Sequence, residues 1–308
     1  MGPLLERLPS GSRIAVIRLR SLGDCVLTTP ALALLKAHRP DLRLAVVVED
    51  RFRAVFEGNS DIDELLIPRR PVVAAFRPHL VLNLHGGTPS MAMTIASRAR
   101  FRVGFGHHSY SFVYSSKIPR AQEIFGAERP VHTAEHMASA MFWLGVPQGP
   151  VPRAKLVVGK LVAGAAPEGS YAVIHPFASR LDKTWPAGRF LAVAAHLSDA
   201  GLEPVFLAGP SDDPAAFKNF RVLENAPLSE IKSLMAGAQL FVGNDSGPAH
   251  IAAAFGIPVV VVFGSSNPAT WAPWRTEARV LTAPAGIDAI EVDQAIESVQ
   301  QLVRKVSA

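Results

Sequence analysis

A single cysteine, Cys25, stands in the 308 residues. That rules out an intramolecular disulfide framework and any zinc site built on paired thiolates, and it fits a reducing compartment. No apolar run approaches the roughly 18–20 residues of a membrane-spanning helix. The opening stretch, MGPLLERLPSGSR, lacks an apolar h-region and a cleavage site, so no signal peptide is expected. Tandem repeats and low-complexity tracts are absent too. No G-x-G-x-x-G follows the first strand-like segment, which removes the usual dinucleotide fingerprint. Charged residues make up only 19% of the chain and apolar ones 49%, the balance of a soluble globular protein.

Charge is unevenly shared. Residues 1–160 carry 21 Lys/Arg against 12 Asp/Glu, a net +9, and residues 161–308 carry 10 against 14, a net −4. A basic first half suits an anionic partner such as nucleic acid, an acidic lipid surface or a phosphorylated glycan, or is simply a solubilising surface. The aromatics are not interleaved with the basic residues as in a base-stacking platform, so no nucleic-acid partner is expected.

Periodicity predicts alternating strands and helices in both halves. In the first, strands are expected at 14–18, 44–48, 64–67, 80–84 and around Val103, with helices at 26–37, 52–56, 90–98 and 132–144. In the second, strands are expected at 171–175, 204–208, 240–242 and 259–263, with helices at 187–200, 229–237 and 289–306. Two Gly/Pro/Ala-rich stretches, 145–152 and 159–169, read as a linker. The fold class is therefore α/β with two doubly wound domains, residues 1–155 and 156–308, facing a central cleft.

Three loops that follow strands carry chemistry. The first is Arg18-Leu19-Arg20-Ser21-Leu22-Gly23-Asp24, where Asp24 is either a general base or the N-cap of helix 26–37. The second is HPFASRLDKTWP (175–186), in which Lys183 offers a point charge for phosphate, with Ser179 and Thr184 as hydroxyl donors. Trp185 and Pro186 there look structural. The third is GNDSGPAHIAAAFGIPVVVVFG (243–264). Asp245 or Ser246 caps a small-residue helix, Pro248 fits its first turn, Gly247 permits close approach, and His250 lies one turn in. A helix N-terminus after a strand suits an anion such as phosphate, although by itself this turn is equally an ordinary capped crossover.

Other segments imitate sites. Asp61-Ile62-Asp63 resembles a D-x-D metal clamp but reads better as a capped turn. His132-Thr133-Ala134-Glu135-His136 lacks the H-E-x-x-H order of a zinc protease. Gly104-Phe105-Gly106 is too short to carry a meaning. The cluster Arg98, Arg100, Arg102 is either an anion grip or a solvated face.

Taken together, IRLRSLGDCVLTTPALALLKAHRPDLRL, GNSDIDELL, RVGF, HPFASRLDKTWP and GNDSGPAHIAAAFGIPVVVVFG resemble the heptosyltransferase group of glycosyltransferases, family 9, which build the inner core of lipopolysaccharide. The resemblance implies a GT-B arrangement of two Rossmann-like domains. The acceptor would bind the N-terminal domain and a nucleotide-sugar the C-terminal one, with no metal and no cofactor.

By motif, Asp24 resembles the catalytic base and Lys183 the residue neutralising the departing diphosphate, with Ser179 nearby. Asp245 matches the sugar-holding position, and Ser246, Gly247 and His250 match the diphosphate turn. Arg18, Gly23, Arg98 and Arg100 are acceptor-side candidates. No Glu stands just after Gly209, so Asp212 or Asp213 is expected in its place. The implied activity is inverting transfer of heptose from ADP-heptose to an anionic glycolipid acceptor. The implied location is the cytoplasm, with peripheral contact at the inner membrane face. The alternatives are a nucleotide-sugar-binding protein without transfer, and another GT-B enzyme such as a sugar-nucleotide epimerase.

Overall fold

The computed structural model describes residues 3–159 and 166–306. The middle of the expected linker, residues 160–165, lies outside them. The chain divides into two compact units, residues 1–157 and 158–308.

The first unit is a six-stranded, all-parallel sheet in the order β3-β2-β1-β4-β5-β6. Its strands are β1 (Arg13–Ile17), β2 (Arg43–Val47), β3 (Glu64–Leu66), β4 (Leu80–Asn83), β5 (Phe101–Phe105) and β6 (Ser116–Ile118). Its helices are α1 (Leu22–His38), α2 (Arg70–Phe76), α3 (Gly87–Ala96), α4 (Ala121–Phe125) and α5 (Thr133–Leu144). The central strands are nearly continuous apolar runs because both faces are covered, α1 packing on α5 and α2 on α3.

The second unit repeats the plan. Its strands are β7 (Tyr171–His175), β8 (Glu203–Ala208), β9 (Arg221–Glu224), β10 (Leu240–Asn244), β11 (Val259–Val262) and β12 (Ala278–Leu281). They are all parallel, in the order β12-β11-β10-β7-β8-β9. The helices are α6 (Ala187–Asp199), α7 (Leu228–Gly237), α8 (Gly247–Phe255), α9 (Pro268–Trp271) and α10 (Val292–Val306). Its core gathers Trp185, Phe190, Phe206 and Phe217 with Leu197, Val260 and Leu302.

Counted from the first strand of each unit, both orders are 3-2-1-4-5-6. The winding reverses between β1 and β4 in one unit and between β7 and β10 in the other. Ligands of doubly wound sheets bind past the carboxyl ends of the strands at such a reversal. The three loops singled out in the sequence leave β1, β7 and β10, so each lies at one of these two places.

The strands missing from the sequence reading, β6, β9 and β12, lie at sheet edges and are short and only partly buried. An edge strand covers one neighbour, so its apolar pattern is weak. The helix expected at 26–37 begins earlier, at Leu22, and Ser21 is its N-cap. Asp24 is therefore the third residue of α1 and not the cap. The helix expected at 289–306 begins at Val292, after a short 3-10 turn at Ile287–Ala289.

Candidate active site

In the first unit, Ile17 at the end of β1 pairs with Val47 on β2 and Asn83 on β4. The chain then turns directly into α1. Asp24 Oδ2 accepts from the Ser21 N–H at 3.4 Å and from the Ser21 hydroxyl at 3.0 Å. These bonds anchor the carboxylate to the start of its own helix, where negative charge is favoured. Its Oδ1 accepts from the Arg18 guanidinium at 3.1 Å.

Arg18 is buried. Its Nε donates to Thr28 Oγ1 at 3.1 Å, and its terminal nitrogen lies 3.2 Å from Met137 Sδ on α5. It is thus not presented to an acceptor, as the sequence reading had it. Removing a guanidinium from water requires such a set of partners, and that set fixes Asp24. Gly23 is buried in the first turn of α1. Burial also pushes the Cys25 thiol up to about 12, which makes it inert.

Arg98 and Arg100 precede β5, at the amino edge of the sheet, whereas Asp24 follows a carboxyl end. The sheet therefore separates them from Asp24, and the acceptor-side assignment of both is corrected on that ground. Arg100 lies over the Phe101 ring, 5.2 Å from its centre.

A histidine cluster that sequence reasoning missed lies at the carboxyl ends of β4 and β5. His136 stacks on Phe105 with ring centres 4.1 Å apart, and His107 lies 5.6 Å from His136. His108 Nδ1 is 2.9 Å from the Tyr114 hydroxyl. Gly104 is required here, because a Cβ would run into the Tyr114 ring. Burial, reinforced by the charges of His107 and Arg18, pushes His108 and His136 down to about 4. Burial, with Arg18 and Arg20, also lowers His85. All three are neutral near pH 7. The spacing of His132 and His136 was their only sequence signal, and His132 is the N-cap of α5.

In the second unit, Asn244 closes β10 and is wholly buried. Its Nδ2 donates to the Pro176 carbonyl at 2.8 Å and its Oδ1 accepts from the Trp185 N–H at 3.0 Å. One side chain thus pins both ends of the 176–185 loop. Trp185, also fully buried, donates from its indole to the Ile290 carbonyl at 2.8 Å. Ser265 N–H reaches the Asp182 carbonyl at 3.2 Å, and a Cβ on Gly264 would overlap that carbonyl. The loop bearing Lys183 is therefore built in from three directions.

Lys183 Nζ lies 3.3 Å from Asp245 Oδ2, the oxygen to which the Ser266 hydroxyl also donates. Asp245 follows β10 directly, its N–H bonded to the Val262 carbonyl at 3.1 Å. Ser246 is the N-cap of α8, yet its hydroxyl meets no helix N–H; it lies 3.0 Å from His175 Nδ1. Gly247 opens α8, and His250 is buried four residues in, its ring 6.3 Å from Trp271.

The structure thus brings Lys183, Asp245 and Ser246 together. Ser179 is exposed on the same loop. Thr184 spends its hydroxyl on the Arg180 carbonyl at 2.9 Å and closes the loop internally. Asp212 accepts from the Gly209 N–H at 2.7 Å, and Asp213 from the Ala215 N–H at 3.0 Å. Both aspartates therefore shape their own turn. Ser266, His175 and Asn244 had no distinct signal, because each acts through a partner far away in sequence.

The D-x-D lookalike is structural: Asp61 pairs with Lys155 at 3.1 Å, and Asp63 with Lys36 and the Leu44 N–H at 2.8 and 2.7 Å. Among the described residues, no three His, Cys, Asp or Glu side chains are arranged to hold a metal ion, and no helix is long and apolar enough to cross a membrane.

Known proteins resemble this chain in sequence and in fold. The sequence profile of glycosyltransferase family 9 (heptosyltransferase) matches residues 76–295. Lipopolysaccharide heptosyltransferase 3 of Escherichia coli is 26% identical over 291 residues, covering 83% of this chain and 84% of the relative. The crystal structure of a family 9 glycosyltransferase from Veillonella parvula superposes with a TM-score of 0.83 at 22% identity, over 96% of this chain and 98% of the other. The E. coli ADP-heptose lipopolysaccharide heptosyltransferase II superposes with a TM-score of 0.81 at 19% identity, over 96% and 100% of the two chains. The chain belongs to glycosyltransferase family 9.

Proposed function

From membership of glycosyltransferase family 9 we propose that this protein is an inverting, metal-independent transferase. It moves heptose from ADP-heptose to an anionic glycolipid of the lipopolysaccharide-core type. The observation that carries the reading is the start of α8, where the Ser246 hydroxyl bonds no helix N–H and Lys183 pairs with the adjacent Asp245 at 3.3 Å. A helix N-terminus and a lysine supply the positive charge that a departing diphosphate needs.

Asp24 takes the proton from the acceptor hydroxyl as that oxygen attacks the anomeric carbon. The bond to the diphosphate oxygen breaks on the opposite face, through an oxocarbenium-like transition state with inversion. Lys183 and the positive end of α8 stabilise the charge left on the diphosphate. Asp245, held by Ser266, contacts the sugar once Lys183 turns to the phosphate. Ser179 adds a hydroxyl at the same loop. The donor nucleotide matches the one named for the E. coli heptosyltransferase II. The net +9 of residues 1–160 supports an anionic acceptor and peripheral contact with the cytoplasmic face of the inner membrane.

Thermal-shift screening of nucleotide-sugars tests the donor, since a ligand at about 100 times its Kd adds roughly 2.7 kcal/mol. ADP-heptose is expected to stabilise the chain and to be consumed only when a core-type acceptor is present. Stabilisation without transfer would make the protein a binder, and consumption without acceptor would make it a hydrolase or an epimerase. No stabilisation by any nucleotide-sugar would remove the donor site itself.

A further inference from the structure

His175 closes β7, and its partner across the sheet reversal is Gly243 on β10. A Cβ on Gly243 would come within 2.8 Å of the His175 carbonyl, so the two strand ends approach more closely than any other residue would permit. That approach sets the imidazole beside the start of α8. Its Nδ1 lies 3.0 Å from Ser246 Oγ, a contact between residues 71 apart in sequence. Burial pushes the imidazole down to about 4, so near pH 7 the ring is neutral, with one N–H and one lone pair.

The contact can be made in two ways with opposite consequences. If Nδ1 accepts the serine proton, Ser246 presents only lone pairs to the N-terminus of α8, and these repel an anionic oxygen. If Nδ1 carries the proton and donates it to Oγ, the serine O–H is free to donate onward. Ser246 caps no helix N–H, so its oxygen is free to accept from Nδ1–H while its own proton points onward.

We propose that His175 is a positioning residue that donates from Nδ1–H to Ser246 Oγ and thereby aims the Ser246 hydroxyl proton at a phosphate oxygen of the nucleotide-sugar. This relay rests on the donor-site reading given above. It makes the phosphate contact depend on a residue that itself touches no substrate.

A double-mutant cycle on ADP affinity, measured by titration calorimetry, tests it. Ser246→Ala is expected to weaken ADP binding about tenfold, as for one hydrogen bond to a charged group. His175→Asn places an amide N–H where Nδ1 stands and is expected to bind like the parent chain. His175→Gln places its amide nearer the Nε2 position and is expected to weaken binding by about as much as Ser246→Ala. Added to Ser246→Ala, it is expected to cost nothing more. Equal losses from His175→Gln in both backgrounds would overturn the relay, as would Asn and Gln behaving alike.

Nitrogen-15 spectra of the parent chain with ADP bound read the tautomer without any substitution. An Nδ1–H ring supports the relay, and an Nε2–H ring overturns it whether or not the variants fold. A parent chain that binds neither ADP nor ADP-heptose would instead remove the donor-site reading, an outcome distinct from failure of the cycle.

Discussion

In the first unit the exposed member of the ion pair at the sheet reversal is the carboxylate: the Asp24 side chain is 25% exposed and Arg18 only 6%. In the second unit the order is inverted, with Lys183 23% exposed and Asp245 8%. The same strand order thus presents an anion in one half and a cation in the other, each steadied by a buried partner of opposite charge. Each sheet also ends its fourth strand on a fully buried asparagine, Asn83 or Asn244.

Their bonding differs in a telling way. Asn83 bonds locally, to the His85 and Gly86 N–H groups at 3.1 and 3.0 Å and to Ser90 and Thr94 on the next helix. Asn244 reaches across to the long loop of the neighbouring strand. The topology supplies the place, and the loop after the first strand of each unit decides the charge. A short turn into α1 delivers a carboxylate, and an eleven-residue loop (176–186) between β7 and α6 delivers a lysine.

The comparison breaks most sharply at Asp24. Asp24→Asn keeps the shape and the Arg18 contact but removes the base, and kcat is expected to fall by roughly 10²–10⁴. ADP affinity, measured by calorimetry, should be unchanged, because the donor loops lie in the other unit. Normal turnover in this variant would end the proposed mechanism.

Lys183→Ala comes next. The loss of leaving-group stabilisation is expected to lower kcat by about 10²–10³ in a steady-state transfer assay. An unchanged kcat would mean that the exposed cation of the second unit is ornamental.

Gly264→Ala sharpens the comparison without touching a reacting group. The new methyl overlaps the Asp182 carbonyl, so the Lys183 loop must shift. The expected cost is about 1–3 kcal/mol of stability, read by calorimetry, together with a fall in kcat smaller than that of Lys183→Ala. Activity and stability both at parental levels would show the loop to be less firmly built in than its contacts indicate.

Acidification separates the units by the smallest margin. His108 and His136 in the first unit and His175 in the second are held near 4, against an ordinary value of 6.5. As pH falls from 6.5 toward 4, the unfolded chain takes up protons that these folded imidazoles refuse, so stability drops across that window. Above 6.5 both states are neutral and these groups contribute nothing. Two such groups against one predict a steeper acid loss for the first unit, followed by scanning calorimetry between pH 7 and 5. His136→Phe, which keeps a ring against Phe105, should flatten that slope. An identical slope in the variant would acquit the cluster.

Much of this was legible in the residues. The nearly continuous apolar runs at 14–17, 80–82, 171–174 and 240–242 marked the central strands, because strands covered on both faces need no alternation. The placement of Asp24, Lys183, Asp245 and Ser246 was legible as well, since each belongs to a loop or turn that leaves such a strand. Arg18 was legible as a residue but misread in role. Nothing local says that a guanidinium one residue past a strand is sealed between Thr28 and Met137. The same holds for Arg98 and Arg100, whose separation from Asp24 depends on which end of a parallel strand each adjoins.

The sequence by itself determined two doubly wound units and the chemistry of the loops at their carboxyl edges, because apolar period, turn residues and loop position are local properties of the chain. The tertiary structure alone decided which charge of each pair is offered and which is buried. It also decided that Asn244 pins the lysine loop and that His175 holds the cap serine of α8. Those outcomes depend on hydrogen bonds between residues roughly sixty to over one hundred positions apart, and no short window of sequence contains both partners.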